Sequence, residues 1–395
     1  MSSGETGGAT SGGTGGTTSG GTDAGGSEPG GGSGGSGGGT SDGEPGDGGA
    51  QAGGTGGDLF AGPTGGDGTG GDGTGGDPGI TGPCDIYDAA ATPCVGAWST
   101  VRALYGEYSG PLYQVRRTSD GTTMDIPVLS VGGYADSSVQ DAFCTGDCTI
   151  SVLYDQSSRR NDLPVSGPVA ALPDGGTESN AKAARITVGG HPVYGLLSEP
   201  GAGNSYRNDS PTGTATGDEA ESIYEVVAST VYNDMCCNSF GNVQTSGVGE
   251  DPGAMEAIYF GNCSYFGSGG GNGPWILTDL EAGTFPSNLS DDPNNTPIDA
   301  PAFATLMLKG FSGNRFALKA GDAEGGSLVT KWDGPRPDGY TPMQKQGGLG
   351  LGAGGEGSHD STGLFFEGAV TIGCTDDASV DDAVQANIVA AGYGL

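Results

Sequence analysis

The chain has 395 residues, of which 48 are Asp or Glu and 14 are Lys or Arg, so its formal net charge at pH 7 is −34. A charge of this sign and size argues against nucleic acid and anionic lipid surfaces as partners, because both would repel the protein. The sequence contains no run of about 20 apolar residues, and we therefore expect no transmembrane segment.

Residues 1–82 differ in composition from the rest of the chain. Nearly half are Gly, most others are Ser, Thr, Asp, Glu, Pro or Ala, and none is Lys or Arg. Such a segment cannot bury enough apolar surface to offset the loss of chain entropy, so we predict a disordered acidic tether. Its Thr-Gly-Gly-Asp repeats, which begin at Thr64, are similar to calcium-binding repeats but lack the apolar residue that stacks their core. A flexible spacer is therefore the favoured interpretation.

Residues 83–395 are long enough for one large domain, and their predicted elements are mostly short strands. Segments rich in apolar residues, separated by Gly, Pro, Asn and Asp, predict strands over residues 112–116, 149–154, 223–227, 257–260, 275–280, 304–308 and 315–318. Two helices are predicted, one over residues 100–105 and one over residues 380–390 with Ser379 as its N-cap. The predicted fold class is therefore all-β, a two-sheet antiparallel sandwich.

The cysteines all lie in this domain, at Cys84, Cys94, Cys144, Cys148, Cys236, Cys237, Cys263 and Cys374. An even number arranged in local pairs predicts a disulfide framework, which forms in an oxidising compartment. We therefore expect an extracellular or surface-tethered protein whose leader has been removed. A zinc site at Cys144 and Cys148 is the alternative. With only His191 and His359 available and no second cysteine pair at zinc spacing, no metal is expected.

The adjacent residues Cys236 and Cys237 are the most informative feature of the domain. A bond between them would close a small ring across one peptide bond and present a rigid, apolar sulfur surface suited to one face of a sugar. Two free thiols, or bridges to other cysteines, are alternatives that the pair alone leaves open.

Two segments follow this pair, Met255–Asn262 and Gly271–Glu281. Together with the adjacent cysteines, and in this order, they resemble the catalytic domain of α-L-arabinofuranosidase B, glycoside hydrolase family 54. Further matching segments are spread over residues 82–395, at Gly82–Tyr87, Thr92–Cys94, Arg102–Tyr105, Leu112–Gln114, Tyr154–Ser157, Tyr206–Asn208, Thr212–Glu221 and Asn387–Ala391. The resemblance implies a concanavalin-like jelly roll whose active site lies in a cleft on the concave sheet.

The resemblance also implies three disulfides, which join Cys84 to Cys94, Cys144 to Cys148 and Cys236 to Cys237, the last in the floor of the cleft. Cys263 and Cys374 lie outside the family pattern. Because the other cysteines are used in three local pairs, we expect these two to bridge to each other.

Two carboxyl groups are needed for glycoside hydrolysis, and they lie about 5–5.5 Å apart in a retaining enzyme. Asp279 and Glu281 are predicted on one face of a strand, because side chains alternate along a strand, and two neighbouring carboxylates favour a cleft over a core. A solvated acidic strand end is the alternative. The resemblance implies that Glu281 is the nucleophile and that Asp279 binds a sugar hydroxyl.

The second carboxyl departs from the family pattern. The family has Asp as its general acid/base where this chain has Glu356, which adds one methylene group. A shift of the proton donor by about 1 Å costs on the order of 100-fold in rate unless the loop compensates. We predict that Glu356 is the acid/base, with Asp360 as the alternative, and that Gly355 lets the sugar approach the backbone closely.

Two further positions in the expected sugar pocket also differ. Phe266 replaces a Trp of the family, which keeps an aromatic face for stacking on a furanose but loses an N–H donor. Ala282 and Gly283 replace an Asn pair, so side-chain hydrogen bonds to the sugar are lost and main-chain contacts remain. Elsewhere, Trp98 is expected in the core, and Arg207 in a surface or structural role.

The resemblance therefore implies a secreted, monomeric, retaining α-L-arabinofuranosidase that uses neither a metal nor an organic cofactor. Its partner would be an arabinose-containing plant polysaccharide, arabinan or arabinoxylan, from which it releases terminal arabinofuranosyl residues. Two alternatives are a non-catalytic sugar-binding or adhesion module on the same fold, and a glycosidase with another furanoside or pyranoside specificity.

Overall fold

The computed structural model describes residues 81–249 and 251–394. The predicted tether over residues 1–82 lies outside the described residues, apart from Thr81 and Gly82. Among the residues that the structure describes, every helix is too short or too polar to span a bilayer.

Short strands dominate the described residues, and three helices accompany them. The helices are α1 (Pro83–Ala89), α2 (Ser137–Phe143) and α3 (Ala378–Ala390). In chain order, the strands are β1 (Cys94–Ser99), β2 (Pro111–Arg117), β3 (Thr123–Pro127), β4 (Cys148–Leu153), β5 (Leu163–Pro164), β6 (Ser179–Asn180), β7 (Ala184–Val188), β8 (His191–Ser198), β9 (Tyr206–Asn208), β10 (Glu221–Ala228), β11 (Ser239–Val243), β12 (Glu256–Gly261), β13 (Ser268–Gly269), β14 (Trp275–Asp279), β15 (Thr284–Phe285), β16 (Asp291–Asp292), β17 (Phe303–Phe311), β18 (Arg315–Asp322), β19 (Val329–Gly334), β20 (Gly348–Leu351) and β21 (Gly363–Thr371).

Two antiparallel sheets form the sandwich. The eight-stranded sheet runs β19-β18-β17-β10-β21-β8-β7, with β1 also paired to β21, and the six-stranded sheet runs β15-β14-β12-β11-β20-β9. Aromatic side chains join the sheets: the ring centroid of Phe240 on β11 lies 5.3 Å from that of Phe365 on β21 and 6.0 Å from that of Trp98 on β1. A five-stranded sheet (β3-β2-β4-β5, with β6 on β4) and the parallel pair β13-β16 complete the fold. The predicted all-β sandwich is confirmed.

Helices cover the outer face of the eight-stranded sheet. The ring of Tyr87 in α1 lies 6.2 Å from that of Tyr224 in β10, and the Asp381 carboxylate in α3 accepts a hydrogen bond from Lys309 Nζ in β17 at 2.7 Å. The central strands are therefore covered on both faces, and β10 and β21 are buried along their whole length. β10 was predicted from its apolar run, whereas β21 was not predicted, because Glu367 and Gly368 interrupt its apolar residues.

The helix predicted over residues 100–105 is wrong. The chain turns after β1: the Ser99 hydroxyl accepts hydrogen bonds from the N–H groups of Val101 and Arg102, both at 3.0 Å. The Thr100 N–H donates to the carbonyl of Phe366 in β21 at 2.9 Å. These bonds to a side chain and to a distant strand replace the local bonds that a helix would need.

The second predicted helix is present as α3, but its N-cap is Asp377 and not Ser379. The Asp377 carboxylate accepts a hydrogen bond from the Ser379 N–H at 2.9 Å. Both residue types cap helices well, so composition alone does not decide between them.

Disulfide bonds join Cys84 to Cys94, Cys144 to Cys148 and Cys236 to Cys237, which are the three predicted pairs. The predicted bond between Cys263 and Cys374 is wrong, because both residues are free thiols. Cys263 packs within the six-stranded sheet beside Tyr259 and Trp275, whereas Cys374 follows β21 of the other sheet. The two thiols therefore belong to different sheets, which the cysteine spacing in the sequence does not show.

A buried ion network ties the two sheets together. Glu256 of β12 pairs with Arg336 at 2.5 Å and with Lys345 at 2.9 Å, and Lys345 pairs with Glu221 of β10 at 3.0 Å. Burial alone would raise the pKa of Glu256, but the two cations outweigh it and hold this pKa at about 2. The two cations therefore favour the ionised form of Glu256, which has a structural role in the Met255–Asn262 segment.

Candidate active site

The ring formed by Cys236 and Cys237 lies beside the strands of the six-stranded sheet. A cis peptide bond joins the two residues. Cys237 is buried against Tyr259 of β12 and against Trp275 and Leu277 of β14, with Cys236 packed on the same group. These side chains lie on the face of β14 that also carries Asp279, because alternate residues share a face.

A tight hairpin turn joins β14 to β15 and carries Glu281. The Leu280 N–H donates to the Gly283 carbonyl at 3.1 Å, and Glu281 and Ala282 between them have φ angles of 59° and 60°. Two central residues at positive φ are the mark of a type I′ turn, which fits the twist of a two-residue hairpin. The prediction that Glu281 continues the strand is therefore wrong, although its side chain still reaches the same cavity as Asp279.

Asp279 is buried at the end of β14 and is held by two donors. The Ser239 hydroxyl donates to Asp279 Oδ2 at 2.7 Å, and the Glu281 N–H donates to Oδ1 at 3.3 Å. Burial is the main cause that raises the pKa of Asp279 to about 6, and the charge of Glu356 adds to it, while the hydrogen bond from Ser239 acts in the other direction.

The Gly-rich loop after β20 brings Glu356 to the same cavity. A methyl group placed on Gly249 would lie 3.4 Å from Glu356 Cγ and 3.6 Å from Glu281 Oε1, so both side chains approach the same point. A methyl group on Gly355 would collide with Glu281 Oε2. The backbone at Gly355 therefore lies directly against the Glu281 carboxylate, and a larger residue there would push this side chain aside.

These groups surround one cavity of about 280 Å³. Seven predicted residues line it: Cys237, Phe266, Asp279, Glu281, Ala282, Gly283 and Glu356. Cys236 and Gly355 are not among the lining residues, although each is covalently joined to one that is. Asp360, the alternative acid, does not line the cavity and is exposed.

Four lining residues were not predicted: Val248, Gly249, Thr284 and Ser358. They lie in loops or in the two-residue strand β15, where neither periodicity nor a charged side chain marks a site. Within the described ranges, no cluster of His, Cys, Asp and Glu side chains forms a metal-binding group.

Residues 83–394 match the family model described as α-L-arabinofuranosidase B, catalytic. The chain is 49% identical over 320 residues to α-L-arabinofuranosidase B of Emericella nidulans, which covers 79% of this chain and 62% of that protein. It is 45% identical over 324 residues to α-L-arabinofuranosidase B of Aspergillus oryzae, which covers 80% of this chain and 63% of that protein.

Solved structures of arabinofuranosidases are also similar to this chain. An arabinofuranosidase complexed with arabinofuranosyl-α-1,2-xylobiose has a TM-score of 0.77 and 43% identity, over 80% of this chain and 66% of that chain. A family 54 α-L-arabinofuranosidase soaked with a cyclic sulfate inhibitor has a TM-score of 0.76 and 44% identity, over 79% of this chain and 66% of that chain. This chain thus spans less than two thirds of the length of these relatives. The chain belongs to the α-L-arabinofuranosidase B family, glycoside hydrolase family 54.

Proposed function

We propose that this protein is an extracellular retaining α-L-arabinofuranosidase that releases terminal arabinofuranosyl residues from arabinan or arabinoxylan. The observation that supports this most directly is the meeting of Glu281 and Glu356 beside Asp279 in one cavity. Family membership supports the same activity, and the disulfides support export to an oxidising compartment.

In the first step, a Glu281 carboxylate oxygen attacks the anomeric carbon of the arabinofuranosyl unit. The bond to the aglycone oxygen breaks as Glu356 donates its proton to that oxygen, so the leaving alcohol departs neutral. The products of this step are an arabinosyl ester on Glu281 and a Glu356 carboxylate.

In the second step, Glu356 acts as a base. It removes a proton from water, whose oxygen attacks the anomeric carbon and breaks the ester to Glu281. Arabinose leaves with its anomeric configuration retained, and both side chains return to their starting protonation states.

Substrate binding uses the polar and apolar sides of the cavity differently. We assign the Asp279 carboxylate to a hydroxyl of the sugar, since a buried carboxylate can accept a strong hydrogen bond there. Cys237 and Phe266 offer apolar surfaces to the faces of the furanose ring. Ala282 and Gly283 can contribute only backbone groups.

The aglycone is assigned to the outer rim of the cavity, where large apolar side chains are exposed. Val248, which lines the cavity, is 64% exposed, and Tyr265 is 84% exposed with its ring 4.7 Å from that of Phe266. A sugar backbone that carries the arabinosyl branch would rest against these side chains as the branch enters. Exposed aromatic faces of this kind bind sugar rings by stacking.

The test is hydrolysis of 4-nitrophenyl α-L-arabinofuranoside by the wild type, Glu281→Gln and Glu356→Ala. We expect wild-type turnover, loss of at least about 1,000-fold in Glu281→Gln, and a smaller loss in Glu356→Ala because nitrophenolate leaves with little protonation. Asp360→Asn is the matched control, an acidic residue of the same loop that does not line the cavity, and should keep wild-type activity.

The departures at Glu356 and at Ala282–Gly283 favour one second candidate, a sugar-binding module without catalysis. That candidate requires the wild type to bind arabinofuranosides without releasing the aryl group. Calorimetric binding with no turnover would replace the enzyme proposal with it.

A further inference from the structure

Arg207 in β9 is buried, with a side chain that is only 4% exposed, and its guanidinium uses donors on all three nitrogens. Nη1 donates to the Gly355 carbonyl at 2.5 Å, Nη2 donates to the Gln244 carbonyl, and Nε donates to the Asp209 carboxylate. A planar guanidinium with three fixed partners is a rigid anchor, because rotating it would break several charge-assisted bonds together.

The peptide that Arg207 holds is the link between the two proposed catalytic carboxyls. The Gly355 carbonyl belongs to the same peptide unit as the Glu356 nitrogen, and the α-carbon of Gly355 lies against Glu281 Oε2. A displacement of this peptide would therefore move Glu356 relative to Glu281.

The loop that carries Glu356 has few internal hydrogen bonds and is tied from outside, by the Ala171 N–H to the Glu356 carbonyl at 2.8 Å and by the Gly352 N–H to the Ser239 carbonyl at 3.1 Å. Residues 352–357 contain Gly at four of six positions, and Gly leaves the backbone free to adopt many conformations. Its internal bonds join Gly354 N–H to the Ser358 carbonyl and Gly357 N–H to the Gly354 carbonyl, both at 3.0 Å. The Gly355 carbonyl is left for a partner outside the loop, and that partner is Arg207.

We infer that Arg207 is a positioning residue that fixes the separation between the general acid/base and the nucleophile. This inference rests on the proposed function. Arg207 acts through the backbone of Gly355 and does not line the cavity itself.

The inference has a signature that a merely structural arginine would not give. Misplacement of the acid by about 1 Å costs on the order of 100-fold, but only where protonation of the leaving group limits the rate. Loss of Arg207 should therefore act on substrates with poor leaving groups and spare activated ones, as loss of Glu356 would.

The experiment compares Arg207→Met and Arg207→Lys with the wild type on methyl and 4-nitrophenyl α-L-arabinofuranosides. For Arg207→Met we expect kcat/KM to fall about 100-fold on the methyl glycoside and less than roughly 5-fold on the aryl glycoside. Arg207→Lys keeps a positive charge that can reach one of the two carbonyls. We therefore expect its kcat/KM on the methyl glycoside to lie between those of the wild type and Arg207→Met. It serves as the second variant if Arg207→Met does not fold.

Arg336→Met is the matched control, because Arg336 is a buried arginine paired with Glu256 and away from the cavity. Arg336→Met should lower the thermal midpoint and change kcat/KM by the same factor on the methyl and the aryl glycoside. The inference is overturned if the Arg207 variants change kcat/KM by the same factor on both glycosides, or leave kcat/KM unchanged on both. An inactive wild type would refute the proposed function instead, whereas an active wild type with leaving-group selectivity in Glu356→Ala alone would refute only the role of Arg207.

Discussion

The Asp279→Asn substitution should make the folded protein more stable at high pH and should lower its kcat/KM. Asn is nearly isosteric with Asp and can keep both hydrogen bonds: its oxygen can accept from the Glu281 N–H, and its amide can donate to the Ser239 hydroxyl. What the change removes is a buried negative charge whose pKa is raised from 3.8 to about 6, chiefly by burial.

The magnitude follows from linkage between ionisation and folding. The unfolded state loses the Asp279 proton near pH 4 and the folded state near pH 6, so the folded wild type loses stability as the pH rises through this window. Above pH 6 the loss amounts to about 3 kcal/mol, or on the order of 5 °C in thermal midpoint for a domain of this size. Below pH 4 both states are protonated and the difference vanishes.

The assay is the thermal midpoint of wild type and Asp279→Asn at pH 4, 5, 6, 7 and 8, together with kcat/KM on an aryl arabinofuranoside. We expect the variant to gain stability only above pH 4, and to lose about 10–100-fold in kcat/KM because a charged hydrogen bond to the sugar is gone. Glu225→Gln is the matched control: Glu225 is a buried carboxyl of β10 whose pKa burial also raises, but it does not line the cavity. It should change stability without changing kcat/KM. A gain independent of pH, or a loss at pH 8, would refute the reasoning for Asp279.

Three further predictions concern other parts of the site. Ala282→Asn should raise stability by about 0.5–1 kcal/mol by differential scanning calorimetry, because Asn tolerates positive φ better than Ala, and an unchanged or lower midpoint would contradict the turn assignment. Tyr265→Ala should raise KM on arabinoxylan several-fold, by about 1 kcal/mol of lost stacking, yet leave the aryl glycoside unaffected, whereas equal effects on both would remove Tyr265 from the aglycone site. Titration of the denatured, unreduced protein should find two thiols, from Cys263 and Cys374, and finding none would restore the bridge that the structure rejects.

The sequence predicted well those features that depend on local pattern. Strands such as β2, β4 and β12 have clear apolar segments between turn residues, and the structure has them within one or two residues. Most residues that line the cavity lie in motifs that follow one another in the same order as in the family. The resemblance therefore predicted these residues without any knowledge of their geometry. The seven-residue helix α1 was not predicted, because it is too short for a periodic signal.

What the sequence could not predict depends on contacts between distant residues. Strand alternation placed Glu281 beside Asp279 on a strand, but the residue sits in a turn at positive φ and reaches the cavity from there. Arg207 gave no sign of its link to Gly355, which lies 148 positions further along the chain. Gly249 and Ser358 lie in loops where only the folded backbone brings them to the site.

The central claim is that Glu281 becomes covalently arabinosylated during turnover. Glu356→Ala, mixed with 4-nitrophenyl α-L-arabinofuranoside and quenched in acid, should accumulate an ester because the base for the second step is missing. Mass spectrometry of the digested protein should then find one arabinosyl residue added to the peptide that contains Glu281, and none in Glu281→Gln. An adduct on another residue, or aryl release with no adduct and with inversion of configuration, would contradict the account.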